Sequence, residues 1–150
     1  MTIQAEKRVS TDTLMKSLFR TKKLGNFMKH YGNRLEDGNI SEYLTQYCRE
    51  HGRSISKAIR DAQIDRSYGY QIFRGIRMPS RDKLLQLAFG LRMSVEDAGK
   101  MLREAGKSPL YPRIRRDAVL IFCLKEKKSL EEAQELLAQY EISMLGEVDT

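Results

Sequence analysis

Apolar residues in this chain recur three and four positions apart and nowhere alternate with polar ones over the length of a strand. That spacing lines them up on one face of a helix, so it predicts an all-α fold. A first periodic segment, near 12–35, runs through Leu14, Leu18, Phe19, Leu24, Phe27, Met28 and Tyr31, with Gly25 as its expected break. Residues 34–39 read as a connection. Asn39, three residues before Glu42, is an N-cap for a helix through Ile40, Tyr43, Leu44 and Tyr47 that stops at Gly52. Short helices are expected near 55–62 and 66–74. Ser80 starts one through Leu84, Leu87, Ala88 and Leu91, and Ser94 starts one through Val95, Ala98, Met101 and Leu102. Two prolines between 108 and 112 make a turn, because neither can donate a helical hydrogen bond. A helix near 113–125 and a last one opening on the Ser129–Glu132 capping box bring the expected number to about eight. Residues 1–10 and 146–150 read as loose ends.

The expected organisation is a basic helical extension over 1–38, a core over 39–106 and a C-terminal helical hairpin over 107–150. A hydrophobic share of 41% and a charged share of 31% suit a globular chain. No apolar run approaches the roughly 18 residues of a membrane span, and the first residues lack the apolar stretch of a secretory signal. Cys48 and Cys123 have no paired spacing, which suggests reduced, buried thiols in a cytoplasmic protein. The net charge of +7 favours a polyanionic partner. It is unevenly placed: +6 over 1–34, −3 over 35–51, +5 over 52–83, +4 over 84–116 and −5 over 117–150. The middle of the chain is basic, and its last helix would repel phosphate.

The informative stretch is 54–94. Two short helices joined by a tight turn can cross steeply, one over a nucleic-acid backbone and the other in the major groove. The second must then have one apolar and one polar face. Gly69, Ile72 and Phe73 form the apolar one; Ser67, Gln71 and Arg74 lie opposite, joined by Tyr68. Hydroxyl, amide and guanidinium groups are the donors and acceptors that base edges and phosphates need. Asp65 is placed to cap this helix at its start and Gly75 at its end.

The run from Ile72 through Arg74, Gly75, Arg77, Pro79 and Ser80, followed by the Leu84, Leu87, Ala88 and Leu91 helix and Ser94-Val95, resembles the phage repressor and Cro-type helix-turn-helix proteins, the xenobiotic-response-element family. The resemblance covers about 50 of 150 residues. The string from Ser67 to Gly75 is also similar to a bacterial subgroup with extra helices on both sides. The resemblance implies a helix-turn-helix core of about five helices with additional N-terminal and C-terminal helices. It also implies sequence-specific binding of double-stranded DNA to regulate transcription, with a homodimer on a two-fold site. The chain departs from the pattern at four positions: Gln63 where the turn has Gly, Ile55 where the first helix has Gln, Gly69 in place of an apolar residue and Phe73 in place of Glu.

Ser67, Tyr68 and Gln71 are the expected base readers, since Gln pairs with adenine in a bidentate way. The plainer reading of Tyr68 and of Tyr70 is that their rings cover the space beside Gly69. Arg66, Arg74, Arg77 and Arg81, with Lys57 and Arg60 on the preceding helix, are the expected phosphate contacts. Lys16, Arg20, Lys22, Lys23 and Lys29 could touch phosphate or form an ordinary charged face. Arg113, Arg115 and Arg116 either anchor phosphate or a partner's acids, or simply flank a helix. The helices at 113–125 and 130–140 offer either a dimer interface or an intramolecular hairpin. His30 and His51 have no metal-ligand spacing, and no nucleophile elbow, Walker loop or dinucleotide fingerprint is present, so neither enzyme nor cofactor is expected. The rival reading is a protein-interaction module on the same scaffold without DNA binding. RNA binding is permitted by charge, but the aromatics lie on a helix and not on a sheet platform.

Overall fold

A computed structural model describes residues 9–35 and 39–146. Most of the two expected loose ends, and the middle of the 34–39 connection, lie outside these residues. Among the described residues there are nine α-helices, one 3-10 turn and no strand. The chain is all-α, and no helix is long and apolar enough to cross a membrane.

Two compact units divide between residues 37 and 38. The first holds α1 (Thr11–Arg20), α2 (Leu24–Tyr31) and the 3-10 turn Gly32–Arg34. The expected break at Gly25 falls earlier: Thr21 is extended and its hydroxyl donates to the Lys23 carbonyl at 2.9 Å, so Gly25 sits inside α2. Ser17 and Tyr31 join the two helices through their hydroxyls at 3.1 Å. α1 buries none of its residues, and Phe19 is 83% exposed.

The second unit holds α3 (Ile40–His51), α4 (Ile55–Asp61), α5 (Arg66–Phe73), α6 (Arg81–Gly90), α7 (Val95–Glu104), α8 (Arg115–Lys125) and α9 (Leu130–Gln139). α6 is its axis, with every residue from Leu84 to Gly90 buried. α4 and α6 come to backbone contact at Gly90. A Cβ at Gly90 would overlap the Ala58 carbonyl and come within 3.0 Å of the Ala62 methyl. α3 packs on α5 and α7, and the C-terminal pair packs on α6 and α7, so α8 and α9 form an intramolecular hairpin against the core. Cys48 and Cys123 are buried and free, and burial pushes both thiols up, which leaves them weak nucleophiles.

One turn design joins α4 to α5, α6 to α7 and α8 to α9. Each helix ends on a left-handed residue, Gln63, Arg92 or Lys127, with φ of +53°, +54° and +57°. The next amide, of Ile64, Met93 or Lys128, donates back to a carbonyl five residues earlier at 2.9–3.2 Å, which satisfies an orphan carbonyl. Asp65, Ser94 or Ser129 then caps the following helix. The same chemistry therefore closes and opens a helix within three residues.

The strongest polar feature lies at the start of α6. Arg81 donates two hydrogen bonds to Asp117, at 3.1 and 2.9 Å, while the neighbouring Asp82 receives two from Arg116, at 2.7 and 2.8 Å. An Arg-Asp pair on α6 thus meets a second Arg-Asp pair on α8 in reciprocal, bidentate fashion. Arg81 also donates to the Ser108 and Pro109 carbonyls, and Arg116 to those of Ser143 and Met144. The Tyr111 amide donates to Asp117 and the Gly146 amide to Asp82. Helix α8 begins at Arg115, two residues after the expected start, and this places Asp117 in its first turn, where the helix dipole favours a carboxylate.

Asp117 is 1% exposed, so removing its charge strands Arg81. Asp117→Asn should lower the unfolding free energy by about 3–5 kcal/mol in urea denaturation; a loss below about 1 kcal/mol would show that the pair is not structural. Burial alone would raise the Asp82 carboxyl, but Arg116 and the Gly146 amide outweigh it and hold it below the usual range. A carboxyl depressed by folding contributes stability that is present above its unfolded value, near ~3.9, and lost as pH falls through the folded value. Wild type should therefore lose stability below about pH 4 more steeply than Asp82→Asn, as read by Tm against pH.

Candidate nucleic-acid interface

Helix α5 is short because both its ends are specified locally. The Asp65 carboxylate accepts from the Tyr68 amide at 3.1 Å, and the Gly75 and Ile76 amides close the far end on the Ile72 and Gln71 carbonyls. Gly69, Ile72 and Phe73 face inward and are buried, as their spacing predicts. Gly69 has a steric reason to be glycine. A Cβ there would lie 2.5 Å from Cγ2 of Ile59, so α5 sits closer to α4 than any side chain at this position would allow. The left-handed Gln63 in the turn adopts the conformation for which the resembled family uses Gly.

Ser67 and Arg74 are exposed on the outer side of α5, while Tyr68, Tyr70 and Gln71 are half-buried. Each tyrosine ring has two cations within 6.0 Å of its centre. The Arg77 guanidinium is 5.5 Å and the Lys83 ammonium 6.0 Å from the centre of Tyr68; Arg66 and Arg74 are 5.8 and 5.9 Å from that of Tyr70. The rings hold these cations close to the helix. Arg77 also donates from Nε to the side-chain amide oxygen of Gln71, Oε1, at 3.0 Å. That oxygen keeps a second lone pair, and the amide NH₂ makes no bond among the described residues, so a donor-acceptor pair remains open toward solvent.

Of the six expected phosphate contacts, Arg66, Arg74 and Arg77 gather around α5, and none has a carboxylate partner among the described residues. Lys57 is exposed on α4 and likewise unpaired, while Arg60 makes a weak exposed pair with Asp61 at 3.3 Å. Arg81 is a correction. Four hydrogen bonds commit its guanidinium to Asp117 and two carbonyls, so it holds the fold and is not free to take phosphate. Arg116 is a structural anchor for the same reason, and Arg115 donates to the Tyr140 carbonyl at 3.4 Å. Lys83 was not anticipated. Its only sequence signal is being the third residue after the Ser80 cap, whose hydroxyl accepts from its amide.

A concavity of about 850 Å³ runs along α3 and α7 and contains none of the expected base-reading or phosphate-contacting side chains. Among the described residues no group of three His, Cys, Asp or Glu could hold a metal ion. Compared with known proteins, the chain matches no family model, no curated protein and no solved structure.

Helix propensity alone would make Gly69→Ala stabilising by about 1 kcal/mol. The contact with Ile59 reverses the sign: Gly69→Ala should cost about 1–3 kcal/mol by overpacking, and adding Ile59→Ala should recover part of it. Calorimetry showing Gly69→Ala at or above wild-type stability would contradict the close α4–α5 approach.

Proposed function

We propose that this chain is a sequence-specific regulator that binds double-stranded DNA and reads the major groove with α5. One observation carries the reading. The outer side of α5 groups Ser67, Tyr68 and Gln71 with Arg66, Arg74, Arg77 and Lys83, four cations that no carboxylate neutralises among the described residues. Elsewhere in the same unit Arg60, Arg81, Arg116, Lys125 and Lys128 are paired, while Arg53, Arg92 and Lys127 are not. Unpaired cations beside an open amide and hydroxyl suit phosphates flanking a base edge. Lys57, at the start of α4, would take a phosphate of the same backbone. Gln71 reads, and Arg77, which bonds it, both positions its amide and contacts phosphate.

A second reading draws on Ile76 and Met78, which are 67% and 65% exposed on either side of Arg77. Apolar side chains beside the tyrosines suit a protein partner on the same scaffold.

Selection from a pool of random duplexes, followed by affinity at two salt concentrations, separates the two. A regulator enriches a defined motif. Gln71→Ala then relaxes preference at one base position by about 1–3 kcal/mol. Arg77→Ala lowers affinity for all sequences, reduces the salt slope by about one, and blunts the same base preference through its bond to Gln71. Equal losses for Gln71→Ala on selected and random DNA would remove its reading role. No enrichment, with weak binding that disappears as salt rises, would favour the protein-partner reading.

A further inference from the structure

The three equivalent turns converge. Gln63, Arg92 and Lys127, the left-handed residues that end α4, α6 and α8, all line one cleft of about 640 Å³. Glycine is the residue that suits this backbone conformation, yet each position carries a long polar or cationic side chain instead. Strained backbone retained where side chains share a cleft points to a use for those side chains. Arg53 joins them from the α3–α4 turn.

The charges in the cleft can be sorted by partner. Arg60 is held by Asp61 at 3.3 Å and Lys128 by Glu132 at 3.8 Å. Glu132 is further committed to the Ser129 amide, 3.0 Å away. Arg53, Arg92 and Lys127 have no carboxylate within ion-pair distance among the described residues, and Glu131 no cation. The unpaired groups therefore leave an excess of two positive charges in the cleft.

We propose that this cleft binds a small phosphomonoester. The volume lies within the range of small-molecule sites. A phosphomonoester carries about −1.5 to −2 near neutral pH, which matches the excess. Arg53, Arg92 and Lys127 hold the phosphate, and Glu131 accepts from a ligand hydroxyl or amine. A continuous nucleic-acid backbone fits less well, because one phosphomonoester already matches the excess charge and the unpaired Glu131 would repel further phosphates. The site is independent of the α5 surface and of what that surface binds.

Titration of the full chain with adenosine monophosphate and with glucose 6-phosphate, against adenosine and glucose, tests this by calorimetry. At least one phosphate ester should bind saturably with a Kd below about 1 mM, and its unphosphorylated counterpart at least about tenfold more weakly. The double variant Arg92→Gly/Lys127→Gly keeps the backbone that the turns require, so its Tm should equal or exceed that of wild type while affinity falls at least about tenfold. No saturable binding of either ester, equal binding of ester and counterpart, or full affinity in the folded double variant would each overturn the proposal.

Discussion

The second unit depends on the reciprocal pairing of Arg81 and Asp82 with Arg116 and Asp117. Those four residues tie the first turn of α6 to the first turn of α8, and their remaining bonds gather the 108–111 loop and the 143–146 segment around them. Buried ion pairs are poor sources of net stability, because desolvation offsets much of the attraction. Their value lies in geometry. Two bidentate pairs can be satisfied together in only one relative placement of the helices, whereas leucines on α6 could pack against α8 in several. The pairing thereby fixes where α6 begins, and with it the Gly75–Pro79 loop that leaves α5.

A second constraint acts at the other end of α6, where Gly90 lets α4 cross at backbone contact, and a third where Gly69 lets α5 close on Ile59. Small residues at both crossings draw α4, α5 and α6 into a tight group. The outer side of α5 is consequently set by rigid neighbours, and its tyrosines position four cations without neutralising them. A surface of that kind suits a ligand that brings its own negative charge.

The parts legible in the sequence are those determined within a few residues. Helical periodicity, the caps at Asn39, Asp65, Ser80, Ser94 and Ser129, and the inward set Gly69, Ile72 and Phe73 all follow from local chemistry, and the structure reproduces them. The α1–α2 break was misplaced because Gly25 is a stronger general signal than Thr21, whose hydroxyl bond to Lys23 depends on the extended turn itself. Arg81 was misread because its partner is 36 positions away, and an arginine beside a basic helix looks the same in sequence whether it faces solvent or a buried carboxylate. Nor could spacing reveal the Arg77–Gln71 bond, the four ring-cation contacts, or why residue 69 must be glycine. Each requires knowing which elements meet.

The most direct measurement is the shift of backbone amide resonances as the selected duplex is titrated into the full chain. The account predicts the largest shifts along α5, in the Gly75–Met78 loop and at Lys83, with a smaller set at Lys57 and little change along the α3–α7 groove. Shifts confined to that groove or to the C-terminal hairpin, with α5 silent, would contradict it.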